Sequence, residues 1–131
     1  MAGLLDPATL GLTSFSWRVV GLASMIAGSL LLAWGIGTLS WAQSLGRGQT
    51  LITEGPYRFT RNPQYIGDLA LIAGFVLWSD SPRALSVAIA ISIAVCLFPR
   101  TEEPWLGELF GDAYTRYRRR TPRFLWRFQR T

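Results

Sequence analysis

Between Val19 and Gly46 the chain carries no Asp, Glu or Arg, and most residues there are apolar. A helix needs roughly 20 apolar residues to cross a hydrocarbon layer of ~30 Å, so 19–42 is long enough to span with some tilt. Helices that are apolar all round either cross a membrane or lie buried in a large protein. A chain of 131 residues can hardly bury one this long on every side. A secretory leader fits less well: the run is too long, Asp6 rather than a basic cluster precedes it, and no clear small-x-small site follows.

Two shorter apolar runs follow. Residues 63–79 carry only Asp68, and 82–99 carry only Arg83, each near the start of its run. As helices they measure roughly 25 Å at 1.5 Å per residue, short for a span without tilt or thinning. Asn62-Pro63 and Ser81-Pro82 each put a capping residue before a proline at the first helical position. Ser79-Asp80-Ser81 leaves room for only a tight turn, so the runs read as an antiparallel helical hairpin. The expected fold is all-α: a polytopic integral membrane protein of about three transmembrane helices, one long span plus a short helical hairpin, with a cytoplasmic C-terminal helical segment. It forms one membrane domain over 1–131: an N-terminal segment 1–18, a first span 19–42, a loop 43–62, the hairpin 63–99 and a tail 100–131. Small residues recur at helical spacing in the first span, at Ser24 and Gly28 and again at Ser29, Ala33 and Gly37. Such faces allow close approach, either to the hairpin or to a second copy in a homo-oligomer through the first span.

Charge gives the orientation. All thirteen basic residues are Arg, against eight acidic ones, for a net charge of +5. Arg47, Arg58 and Arg61 lie in the 43–62 loop and eight arginines lie from Arg100 onward, whereas the N-terminal segment has only Arg18 and the hairpin turn only Arg83. The positive-inside rule puts the loop and tail in the cytoplasm and the N-terminus outside. The compact architecture suggests a bacterial inner membrane. A basic tail beside spans is most simply a contact with anionic membrane lipids; no nucleic-acid module is visible, and no nucleic-acid partner is expected.

Composition narrows the chemistry. With no His there is no Ser-His-Asp triad and no His-bearing zinc site. With no Lys there is no Schiff base and no phosphate-loop lysine. Cys96 is the single cysteine, which excludes an intrachain disulfide framework and a Cys-only zinc cluster. Asp, Glu, Arg, Tyr, Asn, Ser and Thr remain, and they gather in two polar segments that flank the hairpin. In the first, Gly55-Pro56-Tyr57 reads as a turn, and the chain enters a helix at Asn62-Pro63. That helix start, with Arg58 and Arg61 nearby, could hold a carboxylate or phosphate, or be a plain juxtamembrane cap. In the second, Glu102 and Glu103 sit in an Arg-rich tail. They could neutralise arginines or accept hydrogen bonds from a cationic ligand. Leu106, Leu109 and Phe110 share a helical face, as do Tyr114 and Tyr117; Gly111 should break or kink this stretch and Pro122 should end it.

Taken together, the two segments resemble the membrane methyltransferase superfamily that includes isoprenylcysteine carboxyl methyltransferases and phospholipid N-methyltransferases. That family carries Gly-Pro-Tyr-Arg, then Arg-His-Pro-x-Tyr-x-Gly, an apolar hairpin, Glu-Glu, Phe-Gly, spaced tyrosines and Pro-Arg. The corresponding residues are Gly55-Pro56-Tyr57-Arg58, 61–67 from Arg61 to Gly67, Glu102-Glu103, Phe110-Gly111, Tyr114, Tyr117 and Pro122-Arg123. The match covers roughly 50–125, and it is the ordered set that is specific. Asn62 stands where the best-known members have His; it keeps amide hydrogen bonding but cannot titrate near neutral pH. Many members also have further N-terminal spans.

The resemblance implies S-adenosyl-L-methionine as cofactor and a lipophilic acceptor, an isoprenylcysteine-like carboxylate or a phospholipid amine. The implied cofactor residues are Gly55, Pro56, Tyr57, Arg61, Asn62, Pro63, Tyr65, Gly67, Glu102, Glu103 and Tyr114. Glu102 or Glu103 would meet the cofactor amine or ribose, Arg61, Asn62 and the helix start near Tyr65 its carboxylate, and Tyr57, Tyr65 or Tyr114 would give aromatic contact, including a cation–π contact to the sulfonium. Arg58, Arg116 or Arg123 would orient a carboxylate acceptor. Two rival readings are a sterol-type reductase using NADPH, whose Arg-His-Pro-x-Tyr-x-Gly ending is similar, and a non-enzymatic adaptor whose Arg tail binds anionic lipid.

Overall fold

The computed structural model describes residues 9–12, 14–46 and 50–124. Asp6, Arg47, Arg127 and Arg130 lie outside the described residues, as do the N-terminal residues 1–8 of the segment expected outside the membrane. Among the described residues four α-helices follow one another: α1 (Phe15–Ser44), α2 (Pro63–Ser79), α3 (Pro82–Phe110) and α4 (Asp112–Arg120), with a 3-10 turn at Gly55–Arg58 between the first two. No strand occurs among the described residues, and the chain is a small all-α membrane protein.

α1 and α3 are each long and apolar enough to cross a membrane. Their bare apolar side chains include Trp17, Ile26, Leu30, Val87, Ile91 and Phe98, a surface suited to hydrocarbon rather than water. α2 has 17 residues, about 25 Å.

α1 and α2 pack antiparallel through glycines. Gly21 faces Gly74 and Gly28 faces Gly67, backbone against backbone: a Cβ on Gly28 would stand 2.6 Å from the Gly67 carbonyl oxygen, and one on Gly74 would stand 2.5 Å from that of Gly21. Gly21, Gly28, Gly35 and Ala42 form a buried seam every seventh residue, and Ser24 Oγ donates across it to the Ala70 carbonyl at 2.7 Å. This resolves the expected small-residue packing. Ser24 and Gly28 meet the hairpin, whereas Ser29, Ala33 and Gly37 are exposed.

The hairpin is lopsided. Its second arm was expected to end at Pro99, but α3 continues through Pro99 and Pro104 to Phe110. The reason is tertiary. Ala88, Val95, Pro99 and Glu103 are the buried residues of one face, and that face keeps its packing across the proline. A proline costs a helix one hydrogen bond, a loss that packing can outweigh in a membrane bundle. Gly111, at φ +56°, makes the expected break, and α4 ends just before Pro122. At the other end, Asp80 takes the left-handed conformation (φ 49°) in the tight turn, and its carboxylate accepts from the backbone N–H groups of Leu10 and Leu12 at 3.0 Å each. α3 lies more loosely on α2 and leaves an apolar groove of 640 Å³ that runs from Leu85 to Cys96 and Arg100.

Candidate functional site

The segments on either side of the hairpin meet at one end of the bundle. Gly55, at φ +59°, sits so close to α1 that a Cβ would lie 2.7 Å from Thr38 Oγ1. Pro56 is fully buried behind it. This seats the 3-10 turn and aims the following residues, 57–62, at the tail. The tail straps back across them. Arg61 N donates to the Pro122 carbonyl at 2.9 Å. The Arg123 carbonyl accepts from Asn62 Nδ2 at 2.9 Å and from Thr60 Oγ1 at 3.1 Å. Tyr117 Oη donates to the Tyr57 carbonyl at 2.7 Å.

Asn62 was expected to cap α2 with its side chain. It occupies the N-cap position without doing so, because its amide is engaged with Arg123. The first turn of α2 therefore has no side-chain cap, and its N–H ends and partial positive charge face the space between loop and tail.

That space is a pocket of 360 Å³, within the roughly 300–1,000 Å³ usual for small-molecule sites. Tyr57, Arg61, Asn62, Pro63, Gln64 and Tyr65 line one side, Glu102, Glu103, Tyr114 and Tyr117 the other, and Leu106, Leu109 and Phe110 supply an apolar wall. The C-terminal part of α1 closes it with Leu39, Ala42 and Gln43.

The two adjacent glutamates do different work. Glu103, 7 % exposed, is held between two arginines: its Oε1 lies 2.8 Å from Arg61 Nη1, and Arg123 donates to it twice, at 3.0 and 2.6 Å. The hydrogen bond to Glu103 raises the Arg123 pKa. Glu102 is exposed and accepts from Tyr65 Oη at 2.7 Å, while the Tyr65 ring lies nearly parallel to that of Phe98.

Arg61 is the unusual member. Its side chain is 10 % exposed, yet Nε and Nη1 have no aligned hydrogen-bond acceptor among the described residues. Its contact with Glu103 is one of charge and distance. The charged residues that line the pocket are Arg61, Glu102 and Glu103, with Arg123 bound to Glu103 from outside the lining. Buried donors without acceptors are costly, and a carboxylate would satisfy them. Burial pushes the Tyr114 phenol up, the Glu103 charge adds to the rise and Arg61 opposes it. Burial likewise raises Tyr57, against a hydrogen bond from Gln64.

Of the residues singled out from sequence, Tyr57, Arg61, Asn62, Pro63, Tyr65, Glu102, Glu103 and Tyr114 line the pocket. Gly55 and Pro56 stand behind it as scaffold. Gly67 sits elsewhere: it faces Gly28 and Leu32 in the α1–α2 seam, because it lies on the α2 face turned toward α1. Arg58 and Arg116 line a neighbouring cleft, and Arg123 is occupied by Glu103. Gln64, Thr60 and Tyr117 were not among the predicted site residues. Only Tyr117 left a trace in sequence, through its spacing from Tyr114.

A family model described as phospholipid methyltransferase matches residues 17–113. A Cupriavidus metallidurans protein described as "Cobalt-zinc-cadmium resistance protein CzcN" is 35 % identical over 81 residues, 60 % of this chain and 36 % of that one. A Schizosaccharomyces pombe "Protein-S-isoprenylcysteine O-methyltransferase" is 27 % identical over 89 residues, 62 % of this chain and 35 % of that one. The chain thus spans about a third of the length of these curated relatives. No solved structure matches it significantly. With most of its helices inside the matched region, the chain belongs to the phospholipid methyltransferase family.

Proposed function

We propose that the chain is a membrane methyltransferase that uses S-adenosyl-L-methionine to methylate a lipophilic acceptor. The observation that carries the cofactor assignment is Arg61, a buried guanidinium that lines a pocket of small-molecule size, paired by charge with Glu103 at 2.8 Å while its Nε has no aligned acceptor among the described residues. Arg61 and the uncapped start of α2 would hold the cofactor carboxylate. Glu102, exposed and bonded only by Tyr65 among the described residues, would receive the amine or a ribose hydroxyl. Glu103 would position Arg61 and Arg123 rather than touch the cofactor. Tyr57, Tyr65 and Tyr114 would supply aromatic walls, their phenols neutral near pH 7. When bound, the cofactor supplies a methyl group carried on a sulfonium, and in-line transfer draws much of its acceleration from alignment.

The acceptor would enter from the bilayer along the apolar α2–α3 groove, which reaches Arg100. This reading places the loop and tail on the cytoplasmic side of a bacterial inner membrane, with the N-terminus outside. The acceptor is an isoprenylcysteine-like carboxylate or a phospholipid amine, and one labelling experiment separates them. Membranes containing the chain are incubated with methyl-labelled S-adenosyl-L-methionine and extracted. Label in a base-labile ester identifies the carboxylate, and label in phospholipid identifies the amine. Absence of transferable label, together with unchanged cofactor affinity in Arg61→Gln and Glu102→Gln variants, would sink the assignment.

A further inference from the structure

Next to the pocket lies a second cleft of 680 Å³, and three arginines line it: Arg58 from the 3-10 turn, and Arg116 and Arg120, one turn apart on α4. No acidic residue lines it, and none of the three makes an ion pair with a described residue. Arg58 rests over the Phe59 ring at 5.5 Å. Three guanidiniums in one concavity repel each other, and an anion that accepts several forked hydrogen bonds removes the repulsion. Thr53 and Thr121 add hydroxyl groups, and Leu51, Phe110 and Ala113 give the cleft an apolar floor.

We propose that this cleft binds the headgroup of an acidic phospholipid, such as phosphatidylglycerol. The phosphodiester would lie among Arg58, Arg116 and Arg120, and the glycerol against the apolar floor. Depth favours a lipid over free phosphate. α3 has 29 residues, about 43 Å, which matches a bilayer of ~40–45 Å including headgroups. Its last residue, Phe110, walls the cleft and therefore falls at headgroup level. Trp105 and Leu109, 61 % and 55 % exposed, keep an apolar face on this part of α3. Charge favours acidic over zwitterionic lipid, because the cleft offers no carboxylate to a headgroup amine. The site does not depend on the methyl-transfer reading.

The test uses the purified full chain in phosphatidylcholine bilayer discs, with and without added phosphatidylglycerol. Ligand linkage predicts a rise of several degrees in Tm with the acidic lipid. The rise should vanish in the Arg58→Gln/Arg116→Gln/Arg120→Gln variant and persist in Arg18→Gln/Arg83→Gln/Arg119→Gln, which loses the same charge elsewhere. If the first variant does not fold, single Arg116→Gln and Arg120→Gln variants are compared with wild type by native mass spectrometry for retained phosphatidylglycerol, and each should retain less. Equal loss in the control variant overturns the site in favour of diffuse charge. An equal rise with inorganic phosphate, or an equal rise with phosphatidylethanolamine that the Arg58→Gln/Arg116→Gln/Arg120→Gln variant also loses, overturns the acidic-lipid assignment, as does no rise at all.

Discussion

The Asn62 side-chain amide donates to the backbone carbonyl of Arg123 at 2.9 Å, across 61 residues of sequence. The position where the best-known family members have His therefore ties the tail to the start of α2, a task that needs one N–H donor and no titrating group. Asn62→His, which keeps a ring N–H, should preserve the tie. Asn62→Asp sets an acceptor against an acceptor and should lower stability by about 1–3 kcal/mol, read as a fall in Tm in detergent, with weaker cofactor binding. Equal stability of the Asp and wild-type chains would remove the tie from the account.

Glu102 and Glu103 should separate cleanly. Glu103→Gln leaves Arg61 and Arg123 without their carboxylate in a buried position, at a cost of about 3 kcal/mol, visible in Tm before any ligand is added. Glu102→Gln should leave Tm of the free protein nearly unchanged and weaken S-adenosyl-L-methionine binding, measured by calorimetry. The reverse pattern would mean that the two roles are exchanged.

The glycine seam makes a sharp prediction about size. Gly67→Ala or Gly74→Ala forces a methyl group into the backbone of α1 and should destabilise by about 1–3 kcal/mol. Gly37→Ala meets nothing within 4 Å and should be neutral or stabilising, since alanine is the better helix former. Thermal unfolding of the three variants side by side checks this.

Burial pushes the Tyr117 phenol well above its ordinary value of 10.0. Its neutral form is thus favoured by folding: the stabilisation is complete below about pH 10 and is lost as pH climbs through the raised folded value. Tyr57 and Tyr114 shift the same way. Tm should fall with rising alkalinity, and Tyr117→Phe should flatten part of that slope while losing about 1 kcal/mol at neutral pH for the missing bond to Tyr57. An unchanged slope in the variant would assign the alkaline loss to other groups.

Asp80→Ala should cost more than Asp80→Asn. Both lose charge, but asparagine tolerates the left-handed conformation and keeps a side-chain oxygen for Leu10 or Leu12, whereas alanine does neither. Hydrogen exchange at Leu10 and Leu12 would report the difference directly.

The helices were legible where the sequence signal is local. The apolar runs, the helix starts at Pro63 and Pro82, and the break at Gly111 depend on neighbours in the chain. The continuation of α3 past Pro99 was not legible, because the face that overrides the proline is buried against other elements. Gly67 was misplaced for a related reason: its motif neighbours line the pocket, but its own direction is set by Gly28, 39 residues away in sequence. The division of labour between Glu102 and Glu103 also needed the fold, since adjacent helical residues point about 100° apart and only the tail reveals which one meets arginine.

The strap formed by residues 121–123 makes the pocket a composite of segments far apart in the chain. The α1–α2 glycine seam, the α2–α3 groove and the seat of the 3-10 turn on Thr38 involve none of its residues. Without Pro122 and Arg123, however, the Arg61 backbone amide, the Asn62 amide and the Glu103 carboxylate lose partners. The membrane part of the molecule can thus pack while its pocket is still open on one side, and docking of the strap is a separate step that completes it.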